Sequence, residues 1–426
     1  MAPPDARAQT AKDESVKERP RAEFDPLGIE LDELLAGVGL LSREAVEGKT
    51  TPFASFNVLP KVNAVGRWES NIFRVESGSI TDRIGIISPA VTIASDWDNH
   101  SLSTTLSADF GRWSRTTTEN YDDLHMTIGG GIDITESLKT TGIFRLERLH
   151  EGRGGIDDPG SGVRPLTYLQ PSMTLGAEYM ADAILLKPTI DVTQFSYDSA
   201  VSLDPLTSPP DTKLRDRTDY KIKNRFGYEF QPGTIAFVEP GYLRRDFRRE
   251  RDRLGFLQDS SVYQVLTGLT WDVSSITFID FGVGLLHQKF DEPGFKSITA
   301  PAFSLTGIWN ATELVTLTAK GESYTSDTTQ GGVSSVLVNR LTLTLDYEVF
   351  DNLVATWSGY GEMSTFEQQE PPQRQDLGYG TKLGLDYLIG RNFTTGVAVG
   401  WATLDSNTFG RSWVNRTGEV RFGVRL

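Results

Sequence analysis

The chain has no cysteine, so neither a disulfide framework nor a thiolate-bound metal belongs to its structure. Such a chain suits a compartment where stray thiols are oxidised during assembly. It also lacks a basic excess. With a formal charge of −15 and an isoelectric point near 4.9, it is a poor match for nucleic acid, and none is expected as a partner. Long apolar runs are missing too. The longest, LAGVGLL at 35–41, falls far short of the roughly 18 residues that a spanning helix needs. Mean hydropathy is −0.29, a value common in water-soluble chains. A transmembrane β-barrel gives the same value, because only every second residue of each strand must be apolar. The opening MAPPDARAQT has no apolar signal core, yet Ala6-Arg7-Ala8 before Gln9 resembles the small-x-small end of an export signal. A mature or nearly mature exported chain is expected.

What is present falls into two parts. Residues 1–52 begin with a charged stretch, AKDESVKERPRAEF, whose low hydrophobicity predicts disorder. GIELDELLAGVGLL follows, with Leu31, Leu34, Leu35 and Val38 at helical spacing, limited by Gly37 and Gly39. From residue 53 the period becomes two. Phe56, Val58, Pro60, Val62, Ala64 and Trp68 fall on one face, opposite Asn57, Lys61 and Asn63. Leu341, Leu343, Leu345, Tyr347 and Val349 likewise oppose Arg340, Thr342, Thr344, Asp346 and Glu348. The chain ends in the same way, with Val420, Phe422, Val424 and Leu426 opposite Glu419, Arg421 and Arg425. These segments run roughly 12 to 16 residues, enough for the roughly 9 to 11 that cross a bilayer and far beyond the usual 5 or 6 of soluble sheets.

The connections alternate in length. Short ones fall at 98–100, 135–137, 180–182, 231–233, 274–275, 311–313, 351–352 and 390–392. Long ones fall near 68–81, 114–120, 151–165, 198–215, 249–259, 291–296, 326–334, 367–374 and 406–412. Aromatics gather beside the short turns: Phe56, Trp97, Tyr179, Tyr228, Phe230, Trp271, Trp309, Tyr347, Tyr387 and Phe393. Rings at one fixed depth are what an interfacial girdle requires. The expectation is an all-β, antiparallel up-and-down transmembrane barrel of about 18 strands over 53–426. Residues 1–52 would form a disordered or short-helical periplasmic segment, with both termini periplasmic.

No arrangement of catalytic groups stands out. His100, His125, His150 and His287 are scattered, without the short paired spacing of metal ligands, although His125 and His150 could line a lumen. There is no nucleophile elbow and no Ser-His-Asp ordering. Asp122-Asp123 and Asp157-Asp158 sit in or near loops, where carboxylates usually face solvent. No metal, cofactor or catalytic residue is expected. Strand glycines such as Gly129 to Gly131, Gly282 and Gly284 are read as curvature. The polar faces point Lys61, Asp109, Asp133, Glu178, Lys187, Asp191, Lys221, Arg225, Glu229, Arg340, Asp346, Glu348, Lys382, Asp386, Arg421 and Arg425 inward. About 18 strands enclose more space than side chains fill, so this lumen is water-filled or plugged. Mixed signs there argue against strong ion selectivity.

A basic cluster flanks the eighth and ninth predicted strands. Lys213, Arg215 and Arg217 precede Lys221, Lys223 and Arg225, and Arg244, Arg245, Arg248, Arg249, Arg251 and Arg253 follow. Topology sends these groups toward the external rim. There they either pair with Asp216, Asp219, Asp246, Glu250 and Asp252 or touch lipopolysaccharide phosphates. The other reading is a guide for an anionic polymer.

Several stretches carry a family likeness: RAEFDPLGIEL at 21–31, NIF at 71–73, SPAVTIASDWDNHSLSTTLSADFGRW at 88–113 and LERLHEGRGG at 146–155. RRDFRRERDRLGFLQDSSVYQVLTGLTWDVSS at 244–275 and FDEPGFKSITAPAFSLTGIWN at 290–310 extend it. In order and spacing the chain resembles the outer-membrane family named putative β-barrel porin 2, over nearly its whole length. The resemblance implies a barrel working beside exopolysaccharide synthesis and export. The expected function is therefore a non-enzymatic conduit for a secreted polysaccharide in the outer membrane of a Gram-negative bacterium. A periplasmic export protein would dock on residues 21–41. The alternatives are a general or substrate-specific diffusion porin, and a plugged scaffold that binds a surface structure.

Overall fold

A computed structural model describes residues 51–425, apart from positions 54, 98, 205–207, 250, 252–254, 275, 329, 331–332 and 369–372. The expectations for residues 1–50 lie outside the described residues.

Strand formation follows the period-two pattern almost residue for residue. A three-residue strand, β1 (Thr51–Phe53), precedes β2 (Phe56–Glu69), β3 (Asp82–Ser95), β4 (His100–Trp113), β5 (Tyr121–Thr135) and β6 (Leu138–His150). Then come β7 (Thr167–Ala181), β8 (Ile184–Tyr197), β9 (Arg217–Gln231), β10 (Thr234–Phe247), β11 (Ser260–Ser274) and β12 (Thr277–Phe290). The ring is completed by β13 (Ile298–Asn310), β14 (Val315–Ser326), β15 (Val333–Phe350), β16 (Leu353–Gln368), β17 (Gln375–Ile389), β18 (Phe393–Ser406) and β19 (Trp413–Arg425). Each strand from β2 onward pairs antiparallel with its sequence neighbours, and β19 returns to β2 from Thr417↔Glu69 to Arg425↔Lys61. Nineteen strands less the short β1 leave a closed ring of eighteen. Closure removes sheet edges, which a bilayer cannot hydrate. The sequence had put residues 51 and 52 in the N-terminal segment. The structure instead folds Thr51–Phe53 back as a hairpin on Phe56–Val58, continuing the line of β19. Among the described residues no helix is long and apolar enough to span a membrane.

The two faces separate cleanly. On β5, Leu124, Ile132 and Ile134 are exposed outward, while Asp123, His125 and Asp133 face the interior. On β18, Val397 and Val399 are exposed outward, while Ala398 is buried. The aromatics beside the short turns lie on this outer face. Tyr228, Trp309 and Phe393 are each at least half exposed, and Phe56 meets Trp97 edge-on with centroids 5.5 Å apart. A ring of amphipathic side chains at one depth marks one edge of the hydrocarbon.

Glycine lets the β11–β12 pair approach closely. A Cβ on Gly268 would stand 1.9 Å from the Phe281 carbonyl oxygen and 2.8 Å from Cζ of Phe237. Only a bare backbone lets β11 and β12 approach this way beneath the Phe237 ring. Among the described residues, three of the tight turns use φ > 0, at Asp182, Gly390 and Gly233 (φ 74°), the last between β9 and β10.

Candidate functional site: the lumen wall and the roof over its wide-loop end

Alternation along the strands puts all sixteen of the polar-face residues named above on the side opposite the lipid-facing hydrophobics. Most are held by partners. Lys187 is 3.3 Å from Glu178, Lys382 is 2.7 Å from Glu419, and Arg421 is 2.9 Å from Asp386. Lys139 is 4.0 Å from Asp133, and Arg340 is 3.9 Å from Glu362. Asp191 accepts from Thr174 at 2.7 Å and Asp346 from Thr356 at 2.7 Å, while Glu229 caps the Gly233 N–H at 2.7 Å. Asp109 accepts from Ser88 and lies 3.6 Å from Nε2 of His125. Glu348 and Arg425 also make interactions. Lys61 and Lys221 remain exposed to the lumen. His125 sits between Asp109 and Glu147, whose Oε1 is 3.2 Å from Nδ1. Its two nitrogens thus face separate carboxylates, and no three His, Asp or Glu among the described residues could hold a metal ion.

Arg225 is the most heavily committed cation of the wall. It meets Glu239 at 2.7 Å, reaches Asp280 with both terminal nitrogens, and lies over the Phe237 ring at 3.7 Å. Replacing it with alanine would strand two carboxylates that are mostly shielded from water. Such a loss is expected to cost roughly 3 kcal/mol of barrel stability. Urea unfolding of the refolded barrel measures this, and a change within error of wild type would contradict the shielding.

At the end carrying the long loops the barrel is spanned. The segment 151–166 joins β6 to β7, and 327–332 joins β14 to β15, eight strands away around a ring of eighteen. Despite that separation they touch. Thr328 Oγ1 donates to Asp157 at 2.7 Å, and Gln330 Nε2 donates to the Ile156 carbonyl at 2.8 Å. The Ile156 side chain packs against Val333, Val336, Val338 and Phe366. Val336 and Val338 share the inward face of β15 with Arg340, and both are fully buried, as is Phe366. An apolar landing site on an otherwise polar wall, with one isoleucine seated on it, is the contact of a roof with the far side of the mouth.

Ion pairs hold the roof at its base. Arg153 meets Glu119 through Nε at 2.6 Å and Nη2 at 2.7 Å, and Asp158 at 3.1 Å. It also donates to the carbonyls of Gly160 and Val163 and stacks over Phe73. Burial works against the Arg153 charge, but Glu119 and Asp158 more than offset it and raise its pKa above the ordinary value. Arg215 grips Glu151 at 2.6 Å, lies 3.7 Å from Asp157 and covers the Tyr197 ring at 4.2 Å. Arg217 joins Asp219 at 3.1 Å to Asp327 at 3.0 Å. The segment 198–216 is stitched to the roof by the Val163↔Ser202 bridge. A cavity of about 180 Å³ remains between Ile156, Asp157, Leu166, Pro210, Arg215 and Arg411.

Burial pushes the Asp327 carboxyl up, but Arg217, Arg245 and Arg215 outweigh it and hold it below the usual carboxylate range. A depressed carboxylate contributes stability above its unfolded pKa and loses it only as pH falls through the lower folded value. The roof should therefore stay shut on mild acidification. A single-channel trace that opens as pH drops through the ordinary carboxylate range would contradict this.

The basic cluster does not form one free rim. Arg215, Arg217 and Arg245 turn inward into the roof network; Arg245 lies 3.8 Å from Asp219 and donates to the Thr325 carbonyl. Lys213 lies 3.6 Å from Asp216. Arg244 pairs with Asp259 at 3.1 Å and Asp291 at 2.8 Å, Arg249 pairs with Asp211 at 2.6 Å, and Arg251 donates to the Gly255 carbonyl. Arg248 is exposed, and Arg253 lies outside the described residues. Of the acids weighed as partners from sequence, Asp216 and Asp219 are used, and Glu250 and Asp252 lie outside the described residues. Glu151, Asp157, Asp211, Asp259, Asp291 and Asp327 were missed, because they lie in loops outside the basic stretches, from the same hairpin for Asp259 to the β14–β15 loop for Asp327. Within the roof, sequence offered one signal, the LERLHEGRGG stretch that contains Arg153.

An apolar outer belt, an aromatic girdle, a charged interior and eighteen closed antiparallel strands define an outer-membrane β-barrel of the porin and transporter class. Its place is the outer membrane of a Gram-negative bacterium. The chain belongs to the family described as putative beta-barrel porin 2, whose model matches residues 50–426. No curated protein matches it. Among solved structures it is similar to the copper transporter OprC, at 10% identity and a TM-score of 0.46, covering 89% of this chain and 82% of that one. It is also similar to the FrpB iron transporter from Neisseria meningitidis, at 9% identity and a TM-score of 0.42, covering 93% and 83%. OccK3 from Pseudomonas aeruginosa is similar at 11% identity and a TM-score of 0.42, covering 87% and 95%.

Proposed function

We propose that this barrel is a gated conduit through which an exopolysaccharide leaves the cell. One observation carries the reading: a polar lumen with both signs of charge, mostly paired, ends under a single loop latched to the opposite wall. Paired charges offer hydrogen bonds to a hydrated polymer without a deep electrostatic well, so the chain can slide. A latched roof keeps the opening closed to small solutes between export events. Direction would come from synthesis or from a periplasmic export protein docking on residues 21–41. No catalytic step is assigned to the barrel.

A strain that makes the polymer is the test. Deleting the gene should abolish extracellular polymer and trap it in the periplasm, with restoration by the wild-type chain. Normal secretion together with impaired uptake of a small nutrient would replace the conduit with a diffusion porin. Normal secretion and uptake would favour the plugged scaffold. Changing Leu31, Leu34 and Leu35 to serine should stop secretion and leave conductance unchanged if that segment docks a partner. A rise in conductance with secretion intact would make it a plug instead.

The orientation belongs to the same reading, with termini and short turns periplasmic. Phe409, in the loop between β18 and β19, is 98% exposed. A cysteine placed there should react with an impermeant reagent on intact cells, whereas one at Asn352, in a short turn, should not. The reverse pattern would invert the barrel.

A further inference from the structure

Most outward-facing arginines near the long-loop rim are neutralised. Arg112 is 2.6 Å from Asp122, Arg148 is 2.7 Å from Asp198, and Arg244 holds Asp259 and Asp291. Arg83 and Arg416 differ. Arg83 alternates with the buried Asp82 and Ile84 and so points out from β3. Arg416 points out from β19, two residues from Gly418. Both are exposed, and neither guanidinium has a carboxylate partner among the described residues.

These two arginines bracket one tryptophan. Trp68 on β2 is paired directly with Arg83 on one side and with Gly418 on the other, and it is 39% exposed on the outer face. Directly paired side chains such as Trp68 and Arg83 stand about 5 Å apart, and Arg416, diagonal to Trp68 and itself paired with Trp401, stands roughly 7 to 8 Å from it. On the barrel-centre side of Trp68 the wall is bare. Gly66 is paired with Gly85, and a Cβ on either would meet nothing within 4 Å. The apolar belt begins beside this gap at Val420 and Ile87.

We propose that this patch binds a phosphorylated glycolipid of the outer leaflet. Its phosphate would sit on Arg83 and Arg416, with Trp68 at the junction of headgroup and hydrocarbon. Charge complementarity selects the occupant. Two unpaired guanidiniums at the edge of an apolar belt face the depth where a lipid presents its phosphates, and planar guanidinium forks match phosphate oxygens. Tryptophan is the side chain favoured at that depth. An acyl chain leaving the phosphate would pass over the Gly66–Gly85 gap.

The test uses the full chain in nanodiscs of neutral phospholipid doped with bis-phosphorylated lipid A, with retained lipid counted by native mass spectrometry. Arg83→Glu with Arg416→Glu should lower retention about tenfold or more, since both charge-assisted contacts to the phosphate are lost and two repulsive charges take their place. Arg244→Gln, on the far side of the rim, should retain lipid like wild type. Dephosphorylated lipid A should be held by the wild-type chain no better than phosphorylated lipid A is held by the double variant. Inorganic phosphate should not displace the lipid. Equal retention by wild type and the double variant overturns the proposal, as does equal retention of the dephosphorylated lipid. Conductance serves as a separate readout and is expected to be unchanged, so failure here is distinct from failure of the conduit.

Discussion

A cysteine pair at Asp157 and Thr328 is expected to lock the conduit reversibly. These side chains already meet across the mouth at 2.7 Å, and the chain has no other cysteine to compete. A disulfide needs Cβ atoms about 3.8 Å apart, a small adjustment for two loop segments. Oxidised cells should lose nearly all polymer secretion, and a thiol reductant should restore it within the same culture. Each single-cysteine variant should secrete like wild type under both conditions. If the oxidised pair forms and secretion continues, the roof does not lie on the export path.

The second large effect comes from the base of the roof. Replacing Arg153 with alanine leaves Glu119 and Asp158 facing each other in a shielded site, with their main counter-charge gone. Side-chain exposures of 7% for Arg153, 5% for Glu119 and 9% for Asp158 put the pair in the buried class. Breaking such a pair costs roughly 3 to 5 kcal/mol. Much of that should be met by releasing the loop rather than by unfolding the ring, because strand pairing does not depend on Arg153. The variant is therefore expected to keep the resistance of its barrel to detergent denaturation. Its loop should become cleavable by protease near Gly154, and its single-channel conductance should rise several-fold. Removing Ile156 from its seat by Ile156→Asp should have the same direction, since Val336, Val338 and Phe366 would then face a charge. Unchanged conductance in both variants would mean that the narrowest point lies elsewhere.

The sequence alone determined the ring. Period-two alternation sustained over strands long enough to cross a bilayer leaves one solution, because lipid does not solvate unpaired backbone. Loop lengths then set the strand number, and aromatics beside Trp97, Trp309 and Phe393 marked one edge of the membrane. The same alternation sorts the polar residues: on a strand, Arg340 and Asp346 must share a face once Leu341 and Leu345 take the other. Only the tertiary structure decided which charges are partners. Arg217 finds Asp327, and Asp157 finds Thr328, across distances in sequence that no local rule relates. The roof escaped the sequence because it obeys no period. Its residues are an irregular loop, and its landing site is four apolar side chains, Val333, Val336, Val338 and Phe366, that by sequence alone extend β-strands like any others. Closing the ring set those inward positions opposite Ile156, and burial against a wall eight strands away gave them their role.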